Sequence, residues 1–197
     1  MSQILSPPYA ASSLEGKTDL AQVLQAQSTR TELDCARART EISRSLKNFY
    51  GAPYGPLTLE EIQSADDFIA KVLVDVQYLG DKAKSLYNRP RPFVADPREV
   101  RPCSDFVIPL NGSYPSGHSL EVHVMASILG FIFPERKEAL ETRSMQIAND
   151  RVLAGVHYPS DLDAGRKLAE AMMVALEKSP AFAADLAKHL LQNAPAK

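Results

Sequence analysis

The chain has 197 residues, a length that fits one domain and buries on the order of 70% of its unfolded surface. Lys plus Arg number 22 and Asp plus Glu 24, a formal charge of −2, so no basic excess supports general nucleic-acid binding and no charge surplus marks a disordered chain. Any anion must be held by a local cluster of cations.

The apolar stretch from Val122 to Pro134 is interrupted by His123. It falls short of the ~20 residues that cross a bilayer, so no membrane span is expected. The N-terminus, MSQILSPPYAASS, lacks the basic start and apolar core of a signal peptide. The expectation is a cytosolic protein, or one whose signal has been removed. Cys35 and Cys103 permit one disulfide at most and leave the compartment open.

Residues 1–17 read as an irregular arm broken by Pro7-Pro8. The domain is expected over 18–192. Thr18 to about Tyr50 reads as helix, broken at most once, with Leu20, Val23, Leu24 and Leu33 apolar and Gly51–Pro56 as its end. A second helix opens at Thr58, where Glu61 completes a capping-box pattern. Ile62, Ala65, Ile69, Val72, Val76 and Leu79 then give one apolar stripe, and the prolines in Arg89-Pro-Arg-Pro-Phe93 stop the helix after Tyr87.

Residues 94–114 read as loop. Further helices are expected from near Ser116 to Pro134, from about Glu135 to Val156, from Ser160 (as N-cap, with Asp163 at N3) through Leu168, Met172 and Leu176, and over roughly 181–191. No alternating strand pattern of useful length occurs. The fold class is therefore all-α, a single-domain helical bundle.

Three segments carry chemistry. Lys82, Lys84, Arg89 and Arg91 place four cations within ten residues at a helix end. They form either a solvated basic run or an anion clamp, since Arg offers a planar fork to phosphate oxygens. Asn111-Gly-Ser-Tyr-Pro115-Ser116-Gly117-His118 leads small residues into a helix N-terminus. Such an end favours an anion, with Ser116 adding a hydroxyl and His118 close by; a plain capped turn with a surface His is the alternative. Finally, Asp150-Arg151 precedes His157 and Asp161, which stand four apart. A carboxylate on one imidazole nitrogen frees the other as base or nucleophile; a capping Asp beside a structural His is the alternative.

Together the spacings read Lys84-x6-Arg91-Pro92, Pro115-Ser-Gly-His118 and Arg151-x5-His157-x3-Asp161. This conjunction resembles the three-part signature of the type 2 phosphatidic-acid phosphatase and vanadium haloperoxidase superfamily. Gly112–His118, His157–Arg166 and Tyr87-x-Arg89-x-Arg91-Pro-Phe93 look most like bacterial class A non-specific acid phosphatases. The likeness spans roughly 60–170. Lys82-x6-Arg89-Pro90 also fits the first element, but Tyr87 and Phe93 favour the Lys84–Arg91 register.

The resemblance implies metal-independent hydrolysis of small soluble phosphomonoesters through a phosphohistidine. His157 is the implied nucleophile, Asp161 its partner, and His118 the general acid and then base. Lys84, Arg91, Arg151, Ser116 and Gly117 are the implied phosphate ligands, with Arg89 and Tyr114 as modulators. No cofactor or metal is implied; phosphate or vanadate would occupy the site, and transphosphorylation and vanadate inhibition follow. It also implies a periplasmic or secreted enzyme, with which a Cys35–Cys103 disulfide would agree. A homodimer is compatible with the surplus of amphipathic helix.

One position departs from the pattern: Asp150 stands where the family has Ser. An ionised Asp cannot donate to phosphate and repels it, unless it turns away, pairs with an Arg or is protonated. The rival readings are a vanadate-dependent haloperoxidase and a degenerate phosphate-binding protein. A Ser116-based hydrolase lacks the G-x-S-x-G elbow. Tyr114 and Tyr158 read as packing, His123 as structural and His189 as a surface residue.

Overall fold

The computed structural model describes residues 4–51, 55–103 and 111–192. Among them the ordered elements are helical, and the only extended pairing is an isolated bridge between Tyr50 and Leu57. Ser13 opens α1 (Leu14–Thr29), its hydroxyl accepting from the Gly16 amide at 3.1 Å. The helix thus starts before Thr18, and the arm is correspondingly shorter. Thr31 and Asp34 form a reciprocal capping box that begins α2 (Glu32–Thr40). That restart resets the helical phase, so Leu33 is 81% exposed rather than continuing the stripe of α1.

A 3-10 turn (Leu46–Phe49) leads towards α3 (Leu59–Tyr87), which carries the expected Thr58/Glu61 box. Asn88 closes α3 in the left-handed region, at φ 41°, a conformation Asn tolerates better than most residues. One helical turn, α4 (Pro92–Ala95), follows inside the expected loop; the rest of the expected 94–114 loop includes residues 104–110, which lie outside the described residues.

The core is built around α5 (Gly117–Ile132), in which Leu120, Val124, Met125, Ile128 and Leu129 are fully buried. It packs on α6 (Lys137–Leu153), α7 (Pro159–Glu177) and α3. The apolar stretch at Val122–Ile132 is therefore a core helix, buried over most of its surface, with Ser127 and Phe131 exposed. No helix among the described residues is long and apolar enough to cross a membrane.

Gly165 lets α7 close on the start of α5: a Cβ there would meet the Ser116 carbonyl oxygen at 2.5 Å. α7 starts earlier than expected. Tyr158, not Ser160, is its N-cap; Pro159 takes the first helical position, and Asp161 rather than Asp163 stands at N3, accepting the Tyr158 amide. Proline favours that first position because its missing N–H is not needed there.

The C-terminal α8 (Pro180–Gln192) packs on α3 and α7. His189 is buried rather than on the surface, stacked on Phe68 at 5.5 Å between ring centroids. A Cys35–Cys103 disulfide joins α2 to the segment after α4, with Cα atoms 5.1 Å apart. The arm lies against the bundle: Leu5 is buried, and the hydroxyls of Tyr87 and Tyr114 donate to the Leu5 and Ser6 carbonyls at 3.1 and 2.7 Å.

Candidate active site

His157 follows the turn after α6, where Gly155 takes φ +74° and lets the chain reverse between Arg151 and α7. The ring is 2% exposed. Its Nδ1 lies 3.3 Å from Asp161 Oδ2, and its Nε2 lies 3.2 Å from Arg91 NH1. These two neighbours set the tautomer. An ionised carboxylate only accepts and a guanidinium only donates, so the proton sits on Nδ1 and the lone pair on Nε2.

The cations around it come from three parts of the chain. Lys84, in the last turn of α3, donates from Nζ to the Gly112 carbonyl at 2.8 Å. Arg91 caps α4 and donates to the Val156 carbonyl and to both oxygens of Asn111. Arg151, in α6, donates to the Ala38 carbonyl at 2.6 Å, and its buried Nε finds no hydrogen-bond partner among the described residues. A buried donor left unpaired is costly, and an anion would satisfy it.

Lys82 takes no part: it is exposed and lies over the Tyr78 ring at 5.3 Å. Arg89 is buried but points elsewhere, bridging Asp161 Oδ1 at 2.8 Å and Asp19 Oδ2 at 2.9 Å. The four-cation run therefore divides, and Lys84 and Arg91 face the histidine.

Ser116 caps α5, its hydroxyl oxygen accepting the Ser119 amide at 3.2 Å while its own amide donates to the Asp161 carbonyl at 2.9 Å. That backbone bond joins the second motif to the third. Gly117 faces Lys84, whose Cε would be 3.6 Å from a Cβ added there. His118 is held at Nε2 by the Ile42 carbonyl, 3.1 Å away, and among the described residues no hydrogen bond engages its Nδ1. Tyr114 is buried edge-on against Tyr87. His123 bonds back to the Ser119 carbonyl within α5.

Crowded positive charge and burial govern the titration of the site. Burial, then Arg91 and Lys84, hold the His157 imidazole well below its ordinary range. Burial, then Arg151 and Arg44, do the same to His118. Lys84 is lowered to about 7 by burial and by Arg91, and Arg91 to about 10 by burial. Burial pushes the Asp161 carboxyl up, while the Arg89 guanidinium and the Tyr158 amide pull it back.

Asp150 turns from the site into a two-point ion pair with Arg37 of α2, Nε–Oδ2 2.7 Å and NH2–Oδ1 2.8 Å. Of the three resolutions open to that residue, the fold adopts two together: it turns away and it pairs with an Arg. Sequence reasoning missed Arg37 and also Glu41, which lies 2.8 Å from Arg143 NH2 and 3.4 Å from Arg151 NH2. Burial, then the adjacent Asp150, push Glu41 up to about 7. Arg44 was missed too. It pairs with buried Glu121 at 2.7 Å beside Gly117, and burial pushes Glu121 up to about 7. Among the described residues no group of three or more His, Cys, Asp or Glu could hold a metal ion.

Residues 68–181, more than half of the chain, match the model of the PAP2 superfamily. The chain belongs to the PAP2 superfamily. It is 38% identical over 112 residues to a non-specific acid phosphatase of Salmonella typhimurium, covering 56% of this chain and 45% of that protein. It is 30% identical over 146 residues to one of Providencia stuartii, covering 72% and 58%, and 28% identical over 185 residues to an acid phosphatase of Zymomonas mobilis, covering 91% and 70%. The chain thus spans about half the length of the first of these relatives. The fold is similar to a transmembrane PAP2 type phosphatidylglycerolphosphate phosphatase from Bacillus subtilis, with a TM-score of 0.53 and 19% identity over 85% of this chain and 89% of that one. All three motifs fall within the PAP2 match, whereas α1 and α2 lie before it.

Proposed function

We propose that the chain is an acid phosphatase that hydrolyses small soluble phosphomonoesters through a phosphohistidine on His157. The observation that carries this reading is the opposed pair of contacts on the His157 ring, Asp161 at Nδ1 and Arg91 at Nε2. It leaves the Nε2 lone pair aimed at a place where a cation already sits, the position a phosphoryl group takes.

His157 Nε2 attacks phosphorus, the bond from phosphorus to the ester oxygen breaks, and His118 gives that oxygen a proton. Water then attacks the phosphohistidine, losing its proton to His118, and phosphate leaves. Lys84, Arg91, Arg151 and the amides at the start of α5 neutralise the oxygens, the main requirement of phosphoryl transfer. Arg91 NH1 turns from Nε2 to a phosphoryl oxygen. The negative phosphate restores the His118 proton affinity that Arg151 and Arg44 depress. An alcohol in place of water gives transphosphorylation, and vanadate competes for the same cations.

Mild acid suits this cage. Below pH ~7 Lys84 gains its proton while Glu41 and Glu121 lose their charge, so the site becomes more positive as pH falls. The relatives named acid phosphatases support the same reading. An oxidising compartment, the periplasm or outside, fits the Cys35–Cys103 bond.

The test is hydrolysis of p-nitrophenyl phosphate from pH 4 to 8 with chelator present, for wild type and His157→Ala. Chelator-resistant activity in wild type, lost by a factor of at least about 10³ in the variant, is expected. Activity that survives in His157→Ala, or that chelator removes, overturns the proposal.

A further inference from the structure

Behind Asp161 stands a second carboxylate that belongs to none of the three motifs. Asp19 lies on α1, 5% exposed, and outside the residues that match the PAP2 model. Its Oδ2 accepts from Arg89 NH2 at 2.9 Å and from the Ser160 hydroxyl, and its Oδ1 accepts the Ser160 amide at 3.1 Å. Arg89 NH1 in turn donates to Asp161 Oδ1 and to the Ser160 hydroxyl, both at 2.8 Å, and the guanidinium carbon lies 3.9 Å from the centre of the Tyr158 ring. Asp161 Oδ2 then meets His157 Nδ1.

The string Asp19–Arg89–Asp161–His157 is buried throughout. Two carboxylates share one guanidinium, so the string keeps one net negative charge to set against His157. Without Asp19, Arg89 would neutralise Asp161 alone, and nothing would be left to balance the cationic imidazole formed on phosphorylation. Asp19 also grips the first turn of α7 through Ser160, the turn that aims Asp161.

We infer that Asp19 is a positioning residue for this reaction, holding Arg89 so that Asp161 keeps its charge and its aim for His157. This inference rests on the proposed His157 chemistry. The charged and titratable groups facing His157 are Lys84 of α3, Arg91, His118 of α5, Arg151 of α6 and Asp161 of α7, with Arg89 and Asp19 behind the last. Of these, Asp19 reaches the ring only through Arg89 and Asp161. Its loss therefore adds effective positive charge beside His157 and moves the acid limb of kcat/KM, which reports the free enzyme's base, to lower pH.

The experiment measures kcat and KM on p-nitrophenyl phosphate from pH 3 to 8 for wild type, Asp19→Asn, Asp19→Ser, Asp19→Glu and Ser160→Ala. It also follows the His157 Nδ1–H proton resonance. Expected in Asp19→Asn and Asp19→Ser are a kcat lower by about tenfold, a KM within about threefold, and an acid limb lower by about one pH unit. The Nδ1–H resonance should move upfield as Asp161 becomes a weaker acceptor. Asp19→Glu should restore the limb, and Ser160→Ala, which keeps the charge, should lower kcat without moving it. Unmoved limbs and an unmoved Nδ1–H resonance in the two neutral variants overturn the inference, as does failure of both to fold. An inactive wild type overturns the phosphatase proposal instead, and the Nδ1–H resonance then decides the role of Asp19 by itself.

Discussion

Arg37 holds Asp150 in a two-point ion pair across 113 residues of sequence, with both guanidinium contacts under 3 Å. Asp150 is 3% exposed. The carboxylate that replaces the motif serine is thus paired with a guanidinium that Asp34 shares, and it anchors α2 against α6. Restoring the serine in Asp150→Ser should not strengthen phosphate binding. It strips two charge-assisted hydrogen bonds from Arg37, which keeps its contact with Asp34 at 2.9 Å, and should cost about 2 kcal/mol. Thermal unfolding and KM measured on the same variant check this; a lower KM with unchanged stability would contradict it.

The anion should stabilise the fold. Three buried cations and an unpaired Arg151 Nε face one another around His157. Inorganic phosphate at 100 times its dissociation constant should add about 2.7 kcal/mol of stability by mass action. Differential scanning fluorimetry with phosphate or vanadate should show that shift, and Arg151→Ala should remove most of it.

Stability should also depend on pH through Glu121. Its folded pKa is raised to about 7 from 4.5, so the folded state binds the extra proton between those values. A raised group contributes stability that is fully present below pH 4.5 and lost as pH rises through 7. Glu121→Gln keeps the neutral form at every pH. Relative to wild type it should gain on the order of 2 kcal/mol between pH 5 and pH 8, read from urea midpoints. An equal difference at both pH values would refute the assignment.

The Cys35–Cys103 bond spans a separation of 68 residues. On the chain-entropy account, closing a loop of that size is worth about 4 kcal/mol. Cys35→Ser should therefore lower the urea midpoint, and dithiothreitol should lower it in wild type but not in the variant.

The sequence carried the helices and the motif residues because both are local patterns. Thr58 and Glu61 announce α3, and Tyr87 and Phe93 chose the register that places Lys84 and Arg91, not Lys82, beside His157. The start of α7 was misplaced because Ser160 is a good cap by type, yet its hydroxyl serves Asp19 instead. Leu33 was misplaced because a periodic stripe cannot show that Arg30 and Thr31 interrupt it.

The remaining site residues are pairings across the fold. Asp19 meets Arg89 over 70 residues, Arg44 meets Glu121 over 77, and Glu41 meets Arg151 over 110. Each partner looks like an ordinary surface charge until the helices bring it to its counterpart. No spacing rule relates them.

The disulfide has a topological effect besides its entropy. Residues 35–103 form a closed covalent loop, and Glu41, Arg44, Lys84, Arg89 and Arg91 all lie within it. Ser116, His118, Arg151, His157 and Asp161 all lie on the open strand that follows. The two imidazoles of the proposed site and two of its three proposed anion-binding cations, Lys84 and Arg91, thus belong to two topologically separate parts. Cutting the sulfur–sulfur bond leaves every site residue in place in the sequence, but it turns a ring clasping a tail into one continuous thread.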